Sequence, residues 1–199
     1  MKKKVLNSID LLKNHMTQIK FNSNYEILLL LLKKEMHQRE IAKELRTSLT
    51  RVQFSLKELR DLNVVDYREE GKNHVYFIKK NLISRALILN AENYKLIKLL
   101  SKHNYLETIF RKIIEKNKNS IILLFGSYAK GTEKKDSDID IYIETTDSKI
   151  KEYAEKIYPS LSIKIGKFNK EDFLIKEIIK NHVILNNGEK YYEKLGFFE

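Results

Sequence analysis

Two carboxylates, Asp138 and Asp140, stand behind a Gly126-Ser127 pair in the stretch Ile121–Ile143, IILLFGSYAKGTEKKDSDIDIYI. Side chains two apart on a strand share a face. An extended Ser137–Ile143 therefore points both carboxylates one way and Ile139 and Ile141 the other. Parallel carboxylates repel unless a divalent cation lies between them. Mg²⁺ suits that place, because its usual ligands are one or two carboxylates plus substrate phosphates. Gly126 closes the apolar run Ile121–Phe125, where a glycine permits a sharp turn and leaves room for a ligand. The N–H groups of Ser127 and its neighbours, opening a helical turn over Tyr128–Lys130, can receive phosphate oxygens. The implied chemistry is metal-assisted handling of a phosphate ester. The bland alternative is a strand-turn-strand with a solvated acidic edge.

Gly-Ser, ten residues, then Asp-x-Asp resembles the signature of the DNA polymerase β-like nucleotidyltransferases, in particular the minimal nucleotidyltransferases of prokaryotes. The resemblance covers about the last 95 residues. It implies that Gly126 and Ser127 bind a nucleoside triphosphate, with ATP the expected one, and that Lys130 adds positive charge near the phosphates. It also makes Asp138 and Asp140 the catalytic carboxylates and the ligands of Mg²⁺ or Mn²⁺. Active relatives usually carry a third carboxylate on the strand after the following helix. Here that strand, Ser160–Ile165, offers only Ser162 and Lys164 on one face. A lysine there opposes a second cation by charge, so the two carboxylates are expected to hold nucleotide-bound Mg²⁺ without completing a two-metal site. Glu171 and Asp172 lie beyond the strand at a helix start, where acids have an ordinary electrostatic reason to be.

The chain has 199 residues, enough for one large domain or two small ones, and 42% of them are hydrophobic. No apolar run approaches the roughly 18 residues of a membrane span, and Met1–Lys4 is not followed by the core of a secretory signal. With no cysteine, disulfides and thiolate metal sites are excluded. A cytoplasmic protein without membrane attachment is expected. Residues 1–80 hold 17 Lys and Arg against 10 Asp and Glu, residues 81–118 hold 8 against 3, and residues 119–199 hold 13 against 14. The excess of +11 thus lies in the N-terminal portion, which suggests that this portion meets a polyanion.

In chain order, Leu6, Ile9 and Leu12 give Met1–Lys20 a helical period, and a second helix is expected over Tyr25–Lys34 after the capping residues Asn22–Asn24. His37–Leu45 reads as a short amphipathic helix. Arg46-Thr47 turns the chain, and Ser48 caps a third helix, Leu49–Leu62, with Val52, Leu56 and Leu59 inward. Asn63 ends it in the left-handed conformation. Val64–Arg68 and His74–Lys79 alternate as strands around Glu69–Asn73. Three helices and a hairpin over Asn22–Lys80 resemble the winged helix-turn-helix of prokaryotic regulators. The resemblance implies duplex DNA as partner, with Ser48, Thr50, Arg51, Gln53 and Lys57 toward base edges or phosphates. Arg68, Lys72 and His74 would approach phosphates from the wing. A winged helix used only as a protein platform is the competing reading, slightly favoured by Glu69 and Glu70.

The expected fold class is α+β. A winged helix-turn-helix domain (1–80) and a helical connector (81–104) precede a nucleotidyltransferase domain (105–199) with a mixed sheet. Ile150–Tyr158 is read as a helix. Asn169 is read as the cap of another, reaching about Asn181, and Asn187-Gly188 as the turn of a terminal hairpin whose second arm could be helical. Three functions stay open: a DNA-binding nucleotidyltransferase acting on a protein or nucleic-acid hydroxyl, a non-catalytic regulator with a nucleotide-sensing or vestigial pocket, and an antitoxin-like modifier of a toxin partner. A homodimer is expected, since two half-sites commonly need two copies.

Overall fold

The computed structural model describes residues 23–198, so the helix expected over Met1–Lys20 lies outside the described residues. The first described helix, α1, runs Ser23–Leu31, followed by β1 (Met36–His37), α2 (Gln38–Glu44) and α3 (Leu49–Asp61). The hairpin β2 (Val65–Glu70) and β3 (Asn73–Ile78) completes a three-stranded antiparallel sheet in the order β1-β3-β2. This is a winged helix-turn-helix. α1 ends three residues earlier than its sequence pattern suggests, and Lys33 and Lys34 fall outside it. β1 has no pattern of its own, because two residues become a strand only by pairing Met36 with Tyr76 and His37 with Val75. The hairpin is tighter than expected: Glu70 pairs with Asn73, leaving Gly71 (φ +62°) and Lys72 as a two-residue turn.

The local chemistry of α3 follows its sequence. The Ser48 hydroxyl accepts the Arg51 N–H at 3.3 Å. Val52, Leu56 and Leu59 recur on one face and are buried against Ile27, Leu28 and Leu31 of α1 and Ile41 of α2. Asn63 adopts φ +59°, and the Val64 N–H reaches back to the Leu59 carbonyl at 2.9 Å, which closes the helix.

A long helix, α4 (Leu82–Lys102), is followed by α5 (Leu106–Lys116). The rest of the chain reads β4 (Ile122–Phe125), α6 (Gly126–Lys130), β5 (Ile139–Glu144), α7 (Ser148–Glu155), β6 (Leu161–Gly166), α8 (Phe173–Lys180), β7 (Val183–Asn186) and α9 (Gly188–Leu195). Its four strands form a mixed sheet in the order β6-β5-β4-β7, parallel only between β5 and β6. Alternation sends Ile122, Leu124, Ile139, Ile141 and Ile143 to one face, with Ile109 and Ile113 of α5. Ile121, Leu123 and Tyr142 go to the other, with Ile175 and Ile178 of α8 and Tyr191 of α9.

One expectation fails here and one open alternative is decided. Asp172, not Asn169, caps α8, because its Oδ1 accepts the N–H groups of Leu174 and Ile175 at 2.8 and 3.3 Å. The segment after Asn187 is the helical alternative: Asn187 takes φ +56° and leads into α9 rather than a hairpin arm.

α4 is shared by both halves. Ala91 belongs to the winged-helix core, Ile88 to the core on one face of the four-stranded sheet, and Leu99 to the core on the other. Buried Glu92 accepts the Tyr192 hydroxyl at 2.9 Å and pairs with Lys95 at 2.8 Å. Lys33 of the winged helix donates to Asn181 at 3.1 Å. Burial, helped by the Lys95 charge and opposed by Glu92, pushes the nearby His182 imidazole down to about 4 and so keeps it neutral. Among the described residues no helix is long and apolar enough to cross a membrane.

Candidate active site and nucleic-acid interface

β4 ends at Phe125, which pairs across the sheet with Asp140. Gly126 follows at φ +69°, a left-handed conformation that disfavours side chains. A Cβ built there would stand 2.2 Å from Asp140 Oδ2. The glycine is therefore required twice, for its backbone angle and for the space the carboxylate occupies. No side chain caps α6, so the N–H groups of its first turn are not taken by a capping oxygen. Gly131, at φ +69°, ends the helix, and the Thr132 N–H returns to the Ser127 carbonyl at 3.0 Å.

Asp140 sits in β5, half-buried, whereas Asp138 lies just before the strand and is exposed. Strand alternation thus accounts for Asp140 alone; Asp138 is placed by the loop that enters β5. Burial pushes the Asp140 carboxyl above its ordinary value. The Ser162 hydroxyl opposes that shift, the Asp138 charge adds to it, and the Lys164 charge opposes it. The parallel register sets Ser162 beside Asp140 and Lys164 beside Tyr142. The two carboxylates fit a divalent cation that takes further ligands from a bound phosphate. Among the described residues no group of three or more His, Cys, Asp or Glu converges. Glu171 and Asp172 are otherwise engaged, Glu171 with Lys176 at 2.9 Å and Asp172 as the cap of α8. Lys130 is exposed at the end of α6, and its charge acts on Glu177 of α8.

One residue of this region carries no signal in the sequence. Glu133, in the loop between α6 and β5, has a side chain only 7% exposed. It pairs with Lys102 and, at 2.9 Å, with His103 at the end of α4. The Lys102 hydrogen bond, with that of His103, holds its carboxyl below the usual range. The Tyr105 and Tyr128 hydroxyls meet at 2.8 Å beside it. The loop bearing Asp138 is thereby tied to the helix that also enters the winged-helix core.

In the other half, Thr50, Arg51, Gln53 and Lys57 are all exposed on α3. Ser48 is exposed but spends an oxygen lone pair on its cap. The wing is less open than expected. Arg68 is held by Glu35 and, at 3.0 Å, by Glu70, and His74 stacks on Tyr67 with ring centroids 3.9 Å apart. Lys72, at the tip, is exposed.

Residues 107–190 match the family model described as polymerase beta, nucleotidyltransferase. A CCA-adding enzyme of Thermoplasma volcanium is 36% identical over 117 residues, which is 56% of this chain and 22% of that protein. An uncharacterized HTH-type transcriptional regulator of Methanocaldococcus jannaschii is 40% identical over 53 residues, 27% of this chain and 14% of that one. The chain thus spans less than a quarter of either relative. Among solved structures, the adhesin competence repressor of Streptococcus pyogenes covers 53% of this chain and 73% of its own at 16% identity, with a TM-score of 0.35. That superposition is too loose to argue from.

Proposed function

We propose that this chain, a winged helix-turn-helix joined to a polymerase β-type nucleotidyltransferase domain, binds duplex DNA through α3 and a nucleoside triphosphate through Gly126, Ser127, Asp138 and Asp140. The observation that carries the nucleotide reading is the close approach of the Asp140 carboxylate to the Gly126 backbone, with Asp138 next to it. A bound Mg²⁺ or Mn²⁺ would supply Lewis-acid polarisation of the phosphates. The chain's own contributions are a backbone turn that receives phosphate oxygens, two carboxylates that hold the cation, and a hydroxyl and a cation, Ser162 and Lys164, beside them. The reaction is attack of a hydroxyl of a protein or nucleic acid on the α-phosphorus of the triphosphate, with ATP the expected donor. A new O–P ester bond forms, the α–β phosphoanhydride bond breaks, pyrophosphate leaves, and the hydroxyl proton passes to solvent. The setting is the cytoplasm.

A second reading rests on one observation. Where a third acid would complete the metal site, the register with β5 puts Ser162 and Lys164. This favours a regulator that binds nucleotide and transfers it slowly or not at all. An antitoxin-like modifier of a partner protein is the remaining form of the first reading.

Calorimetry with a nucleoside triphosphate and Mg²⁺ tests the site. The Asp138→Asn, Asp140→Asn double variant should lose most affinity while keeping its fold, and unchanged affinity would remove the metal from the site. Labelled triphosphate incubated with the protein and lysate separates the readings. Label transfer that disappears in Asp140→Ala supports the enzyme. Binding without transfer, with transfer gained by Lys164→Asp or Ser162→Asp, supports the regulator.

A further inference from the structure

On α3, Val52, Ser55, Leu56 and Leu59 are buried. Phe54 lies two residues from Val52 and from Leu56, on the opposite side of a helix that turns every 3.6 residues, and it is 65% exposed. Its neighbours on that side are Thr50, Arg51, Gln53 and Lys57, all exposed, and among the described residues none of their side chains makes a hydrogen bond or ion pair. Arg39, Lys43 and Arg46 are exposed in and just after the preceding helix. A protein-docking patch would extend the apolar surface. Here the aromatic ring is flanked by Thr50, Arg51, Gln53 and Lys57, with Glu58, which accepts from Asn24 at 3.0 Å, and exposed Asp61 one and two turns farther along the same face. The next exposed apolar side chain along the chain is Leu62, two helical turns away.

A major groove admits a helix, and among its base edges only thymine presents a methyl group. We propose that Phe54 is a specificity residue that packs on a thymine 5-methyl group while Arg51, Gln53 and Lys57 engage neighbouring base edges and phosphates. The inference rests on the DNA reading above and deepens it. Cations hold the duplex without regard to sequence. The ring adds a requirement for one chemical group, and its exposure in the free protein is the condition for making that contact.

The test uses the full chain. Duplexes bound best are selected from a random pool, and each thymine is then replaced singly by deoxyuridine, which lacks only the methyl. At one or two positions the wild type should lose about fourfold in affinity, the worth of one buried methyl. Phe54→Ala should bind the thymine duplex about as weakly as the wild type binds the deoxyuridine one, with no difference between the two bases there. Phe54→Leu should retain part of the difference. Both variants replace an exposed side chain and should unfold where the wild type does. A thymine-to-deoxyuridine ratio unchanged in Phe54→Ala, or equal to one everywhere in the wild type, overturns the assignment while leaving DNA binding intact. A selected site without thymine does the same, as does a Phe54→Ala effect confined to self-association. No duplex binding at any sequence in low salt would overturn the DNA reading and this inference with it.

Discussion

The two halves hold their candidate functional groups in opposite ways. On α3 the side chains of Thr50, Arg51, Gln53 and Lys57 stand in solvent, fixed only through the helix that carries them. In the C-terminal half Asp140 is half-buried against Gly126, and the loop leading to Asp138 is pinned by Glu133 to Lys102 and His103. A DNA face gains affinity by releasing counterions from a partner of uniform charge, so its cations can stay mobile. A metal and phosphate site needs its ligands in place before the ligand arrives, so its geometry is built into the packing. Substitutions should therefore damage stability in the second region and leave it nearly untouched in the first.

The largest effect is expected at Gly126. Gly126→Ala meets both the positive φ and the Asp140 carboxylate and should cost about 3 kcal/mol, with nucleotide binding lost. Gly71→Ala shares the positive φ, but a Cβ there meets nothing within 4 Å, so it should cost only about 1 kcal/mol. Equal costs in denaturant titrations would break the claim of close approach. Next comes Glu133→Gln, which replaces a charge-assisted pairing with His103 and Lys102 by an amide and should cost about 2 kcal/mol. Because it loosens the loop before Asp138, it should also weaken Mg²⁺-dependent triphosphate binding. A stability loss without a binding loss would detach Glu133 from the site.

Ser48→Ala removes the cap of α3 and should cost about 1 kcal/mol in thermal or denaturant unfolding, the one sizeable stability effect expected among the α3 positions. Smallest in stability are Arg51→Ala and Lys57→Ala, within about 0.5 kcal/mol of the wild type. Each should nevertheless lower the salt dependence of DNA binding by about one unit of slope. Arg68→Ala should leave that slope alone, because Glu35 and Glu70 already neutralise its charge. A slope change at Arg68 equal to that at Arg51 would mean that the wing opens on DNA.

Much of this architecture could be read from the residues because its causes are local. Ser48 announces α3, the Val52, Leu56, Leu59 spacing gives its inner face, and Asn63 supplies its left-handed end. The Gly126-Ser127 turn and the strands on either side follow from a glycine at the end of an apolar run and from alternation in Ile139–Ile143. Elements defined by distant partners were not legible in the same way. β1 exists through Met36 and His37 pairing with β3, and α9 replaces a plausible hairpin arm where Tyr191 and Tyr192 find a buried surface.

What the sequence determined by itself, then, is every feature whose cause lies within a few residues: caps, turns, amphipathic faces and the types of group available for chemistry. The tertiary structure alone decided which groups meet. It set Ser162 and Lys164 in register beside β5, paired Glu133 with His103 and Arg68 with Glu35 and Glu70, and left Phe54 in solvent. The reason is physical. Helix and turn preferences are expressed within a turn or two of the backbone, whereas pairing register, desolvation and ion pairing depend on segments that only folding brings together.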